Sequence, residues 1–154
     1  MITKKHTAIV ALAVCTLALS TLGSAKHPVA RPFTSQDTLT WVVSLADGSS
    51  QAQGSGVATH TGPYLNLASG HWNLGTFTLV SASGVATADN GDQIFWKLPG
   101  SSFTVEWTGG TGRFQNASGG FNVVAQSEPV VAEGPVPGTI TITVTFTSKG
   151  TLTY

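Results

Sequence analysis

Glu106 is the one acid set inside an apolar, strand-like run, Phe103-Thr104-Val105-Glu106-Trp107. On the inner face of a barrel it would be the best general base the chain offers. The alternation instead sets it opposite Phe103, Val105 and Trp107, on the side where an acid is solvated. His60 is the second catalytic candidate. It stands beside the Gly62-Pro63 turn, where backbone hydrogen bonds are its ordinary use. His71 adjoins Trp72, and no H-x-H or H-E-x-x-H spacing occurs, so no metal ligands and no cofactor are expected. A hydrolase elbow is missing too, because Gly54-Ser55-Gly56 and Ser83-Gly84 do not fit G-x-S-x-G. Asp89 and Asp92 flank Asn90-Gly91, a hairpin tip, where acids serve the turn.

Binding chemistry has more to work with. There are four tryptophans, Trp41, Trp72, Trp96 and Trp107. Trp41 and Trp107 fall on apolar faces and read as core. Trp72 in Ser69-Gly70-His71-Trp72-Asn73 and Trp96 beside Lys97 read as partly exposed, able to stack on a flat ligand. Arg113, in Gly109-Gly110-Thr111-Gly112-Arg113-Phe114, offers a planar fork of donors. It could clamp loop carbonyls, pair with an acid such as Glu106, or meet a ligand.

The elements that must position these residues follow from composition. The chain has 154 residues, of which 9% are charged, with seven bases against seven acids. No basic excess exists to displace phosphate counterions, which excludes a nucleic-acid partner. Lys4-Lys5-His6, an uncharged run from Ala8 to Leu22 and Gly23-Ser24-Ala25 follow the order of a secretory signal. That run is short for a membrane span. Cys15 lies too early, inside the run and after Val14, for a lipid-anchored leader. The expected organisation is therefore a signal peptide at 1–25, a flexible lead-in at 26–32 (KHPVARP) and a β domain at 33–154, with no membrane span after cleavage. The expected location is secreted or periplasmic. After cleavage 129 residues remain, with net charge −2 and neither Cys nor Met. Disulfides and thiol catalysis are then ruled out.

Gly and Thr supply 35 of those 129 residues, which opposes helices and favours strands. Turn signals recur every 8–14 residues, the spacing of an antiparallel sandwich or barrel. Thr139 to Thr147 alternates without error, with Ile140, Ile142, Val144 and Phe146 on one face and five threonines on the other. Leu39, Trp41, Val43 and Leu45 repeat the pattern. Strands are predicted near 36–45, 53–60, 64–72, 76–82, 84–89, 93–98, 102–108, 121–127, 139–147 and 151–154, some of them merging. A short last strand at the chain terminus gains most if both its edges are paired, which favours a closed barrel.

Three strings now bear on kinship: Gly56-Val57-Ala58-Thr59-His60-Thr61-Gly62, then Thr87-Ala88-Asp89-Asn90-Gly91-Asp92-Gln93-Ile94-Phe95, then GGTGRF followed by Ala117-Ser118-Gly119 and Phe121. Their order over about residues 54–121 resembles dirigent proteins, allene oxide cyclases and the short secreted bacterial proteins that look like them. The resemblance implies a single antiparallel eight-stranded barrel of calycin type with a central cavity, and homo-oligomers, trimers being common. The cyclases' Cys has no counterpart in the secreted chain. The acidic pocket residues of dirigent proteins fall outside the matching strings, so none is carried over.

The function expected on these grounds is non-catalytic binding of a small apolar, aromatic or phenolic ligand, with Trp72, Trp96 and Arg113 as its contacts. Two alternatives stand beside it. One is a barrel that guides cyclisation or coupling of a reactive substrate, as the plant relatives do. The other is a purely structural envelope protein.

Overall fold

The structure, a computed structural model, describes residues 28–154. The expected signal peptide therefore lies outside the described residues. Nine strands follow in order: β1 Ala30–Ser44, β2 Ser49–Ala58, β3 Gly62–Asn73, β4 Thr78–Ala88, β5 Gln93–Leu98, β6 Thr104–Gly110, β7 Ser118–Gln126, β8 Val130–Glu133 and β9 Thr139–Thr153. One 3₁₀ turn, Gly112–Phe114, interrupts them. Each strand from β1 to β6 pairs antiparallel with the next. β9 then pairs with β1 along its whole length, from Thr139 opposite Ser44 to Thr153 opposite Ala30. On its other edge β9 meets β7 through residues 146–153 and β8 through residues 140–143. β7 and β8 thus make one stave broken at Ser127–Pro129, and the sheet closes as an eight-stave antiparallel barrel.

The all-β barrel agrees with the sequence reading, in which some predicted segments merge, and β8 and the start of β1 differ from it. The predicted segments 76–82 and 84–89 form the single strand β4, and 139–147 and 151–154 form the single strand β9. β8 was not expected, because Pro129 and Gly134 bracket a run of only four residues. β1 begins inside the expected lead-in: Arg31 pairs with Leu152 and Pro32 with Thr151. The long β9 edge extends that far, so pairing continues where the local Pro-rich sequence suggested coil.

Side-chain parity sorts the barrel into an apolar inside and a mostly polar outside. From β1 the inward set is Phe33, Ser35, Asp37, Leu39, Trp41 and Val43, all buried. From β9, Ile142 and Leu152 are buried, and Ile140 and Phe146 pack on the same core. The threonines point out. Thr38 and Thr145 join hydroxyls at 2.9 Å across the β1–β9 seam, as do Thr40 and Thr143.

β2 carries only small residues inward, and β4 does so from Ala82 onward, with Leu79 before it packing on the core. β2 supplies Ser50, Ala52, Gly54, Gly56 and Ala58, and β4 supplies Ala82, Gly84, Ala86 and Ala88. Large rings from neighbouring strands lie over them, which is how a narrow barrel holds four indoles at interior density. A Cβ on Gly84 would stand 2.5 Å from Trp96 Cζ2, and one on Gly70 would stand 3.0 Å from Trp41 Cζ3. At the end where Val29 meets Tyr154, the 3₁₀ turn drives Phe114 into the interior, fully buried, with its ring 5.1 Å from that of Tyr154. This plug closes one end.

Replacing Gly84 by Val should lower stability by about 3 kcal/mol, the upper range for overpacking, because Leu67 O also blocks the site at 2.6 Å. Urea midpoints should show that loss. Gly100→Ala, with open space around its Cβ position, should stay within about 0.5 kcal/mol of the parent.

Candidate functional site

The barrel encloses a cavity of about 270 Å³, at the small end of the range for small-molecule sites. It exists because β2 and β4 bring so little side-chain volume inward. Its mouth lies at the end opposite the Phe114 plug, between the β3–β4 loop, the β5–β6 loop and the break at Pro129. Phe77 and Phe103 form its rim, 55% and 47% exposed. Both have φ near +50°, at 50° and 54°, a region bulky side chains avoid. Such strain costs about 1–3 kcal/mol per residue and persists only where surrounding structure enforces it.

Below the rim the walls are indole. Trp41, Trp72, Trp96 and Trp107 all line the cavity, with Trp41 and Trp72 edge to face at 6.0 Å. Trp96 Nε1 donates to Asn66 Oδ1 at 3.1 Å across the bare backbone of Gly84. Trp72 Nε1 is buried and finds no acceptor among the described residues, so it remains free to donate to a bound molecule.

Asp37 supplies the polar end of the site. It faces inward from the middle of β1 and is 4% exposed. Ser35 Oγ donates to its Oδ2 at 2.6 Å, and the Tyr64 hydroxyl donates to its Oδ1. Gly56 lies between these two partners in the ladder, opposite Asp37 on one side and Tyr64 on the other. A Cβ there would meet the Tyr64 hydroxyl oxygen at 2.7 Å, so glycine is what lets the hydroxyl cross to the acid. Burial pushes the Asp37 carboxyl above its ordinary value of 3.8, and the bonds from Ser35 and Tyr64 oppose that shift. The Tyr64 hydroxyl is pushed far up by burial, then by the Asp37 charge, and stays a donor.

The residues named from sequence divide. Trp72 and Trp96 are in the cavity, but they are buried rather than partly exposed. Arg113 is outside it. Its Nε meets Asp92 Oδ2 at 3.3 Å and its guanidinium lies 4.7 Å from the Phe114 ring centre, which ties the β4–β5 hairpin to the plug. The acid it takes is Asp92 and not Glu106, because Glu106 points outward and binds Lys97 at 2.9 Å across the β5–β6 ladder. His60 sits at the plugged end, with Nε2 2.7 Å from Pro32 O and Nδ1 3.5 Å from the Tyr154 hydroxyl. Neither Glu106 nor His60 reaches the cavity. Among the described residues no three His, Cys, Asp or Glu side chains gather as a metal site.

Asp37, Tyr64 and Asn66 were missed. A signal for Asp37 was present: it keeps the odd parity of Leu39, Trp41 and Val43. Tyr64 and Asn66 were hidden, because their neighbours Leu65 and Leu67 are more apolar and yet point outward.

Fold and site together define a closed eight-stranded antiparallel barrel with an aromatic-walled, acid-bearing interior cavity. No family model, curated protein or solved structure matches the chain.

The raised carboxyl fixes a sign. Just above pH 3.8 the native state keeps a proton that the unfolded chain has lost, so Asp37 makes stability fall as pH rises to its folded value. Asp37→Asn should remove that decline. The urea midpoint of the parent relative to the variant should fall as pH rises across that acidic window, since the opposite contribution of Asp47, its carboxyl lowered by bonds from Ser49, is common to both.

Proposed function

We propose that this protein binds a small apolar or aromatic molecule inside its barrel and is exported to do so. The observation that supports this most is the cavity itself. Interior space walled by four indoles lowers stability unless something else gains from it. A structural envelope protein would gain more from a filled core. The strained aromatic rim and the free Trp72 Nε1 give a ligand a gate and a hydrogen-bond donor. Trp72 and Trp96 are contacts in this reading, and Arg113 is a clamp beneath the floor.

Asp37 with Tyr64 favours a second reading, the dirigent- or cyclase-like one. A carboxyl in an apolar enclosure could take a proton from a reactive substrate while a tyrosine hydroxyl donates to it. Product formation from a phenolic or epoxide substrate, lost in Asp37→Asn, would favour that reading over plain binding.

Titration with small monocyclic aromatics should quench or shift indole emission saturably. Ala86→Leu places extra volume at a cavity-lining position. It should abolish the response while leaving the far-ultraviolet dichroism of the barrel unchanged. A flat titration across such a panel with the parent would overturn the binding proposal.

The leader is tested separately. Mass spectrometry of the exported protein should find Lys26 as its first residue. An intact Met1 in the envelope fraction would count against cleavage after Ala25.

A further inference from the structure

We propose that the ligand is an organic cation, a protonated amine carried on an aromatic or short apolar body; this deepens the binding function proposed above and rests on it. The cavity contains an acid with no counter-charge. Asp37 is buried, and among the described residues it takes part in no ion pair, the two present being Lys97–Glu106 and Arg113–Asp92. No Lys, Arg or His is among the residues that line the cavity. Buried carboxylates are ordinarily paired with a cation or a metal. Here only neutral donors are supplied: Ser35 and Tyr64 hold one oxygen each. A carboxylate offers about four acceptor sites, so capacity for an ammonium remains.

The alternatives fit less well. A fatty acid or other anion would bring a second negative charge into a water-poor enclosure, where like charges repel far more than in bulk. A neutral phenol would fill the volume and leave the acid uncompensated. An ammonium compensates it directly, and the indole faces nearby attract cations better than other aromatic side chains do. The layout also suits a ligand with a charged head. Asp37 lies four residues along β1 from Trp41 toward the plugged end, roughly 13 Å along the strand and about 10 Å deeper at an ordinary barrel tilt. The ammonium would enter first and the apolar body would remain among Trp41, Trp72 and the Phe77–Phe103 rim. The upward displacement of the Asp37 titration agrees with a carboxylate that lacks its cation when the cavity holds no amine.

Isothermal titration of the full exported chain at pH 7 with three near-isosteric probes tests this. They are 2-phenylethylamine, 2-phenylethanol and 3-phenylpropanoate. The amine should bind at least tenfold more tightly than the alcohol, and the propanoate most weakly. Asp37→Asn should remove the preference, so that amine and alcohol bind alike. An alcohol that binds as well as the amine overturns the cation proposal while leaving small-molecule binding in place. Failure of all three to bind overturns both. Should Asp37→Asn not fold, the amine-to-alcohol ratio of the parent decides alone.

Discussion

The seam between β1 and β9 carries the molecule. Fifteen consecutive residue pairs join β1 and β9, so the last open edges of the sheet are satisfied only when the first and last strands meet. Closure removes both exposed sheet margins at once and fixes the parity of every strand between them. It also allows the inside to be underfilled. An open sheet with such small-residue stretches on two strands would expose a thin face to water. A cylinder can hold that face inside, because rings from the other staves reach across it. The Trp96 ring over Gly84 and the Trp41 ring beside Gly70 are the visible result.

Closure likewise explains which parts could be read from sequence. The β9 alternation of Ile, Val and Phe with Thr was unambiguous, since both of its neighbours demand the same inward face. The turn at Asp89–Asp92 was equally clear, with Gly91 at φ 86°. Reading failed where hydrophobicity and parity disagree. On β3 the exposed Leu65 and Leu67 are more apolar than the inward Tyr64 and Asn66, so the strand looks inverted until Trp96 and Asp37 are seen to hold the polar pair. Glu106 drew attention because it interrupts an apolar run, yet its partner Lys97 lies outside. Asp37 drew none because its run is threaded with Thr, Ser and Gln. A single strand cannot show that its one acid faces the enclosed side, because that depends on strands far away in sequence.

Arg113 illustrates the same limit from the other direction. Its glycine-rich turn is the most distinctive string in the chain, and its work is to anchor the plug. Gly112, with φ at 54°, stands against the Asp92 carboxylate, and the neighbouring guanidinium pairs with that carboxylate. A motif can therefore be distinctive because closing a barrel end is geometrically demanding. Here the demanding end and the ligand-sized end are opposite ends. Phe114 fills the interior at one end, and the cavity opens at the rim at the other.

The buried acid and the strained rim then belong to one argument about stability. Burying a carboxylate without a cation costs several kcal/mol, and two phenylalanines with positive φ add more. Both could be relieved by single substitutions, Asn for Asp37 or Gly at the rim, without altering the seam. A chain shaped for stability alone has no use for either. Both features border the same small cavity, one inside it and one at its mouth. The long β1–β9 ladder supplies the stability that lets the fold keep them. In the reading proposed above, a ligand entering through the mouth would offset part of that cost and bring the charge that the interior lacks.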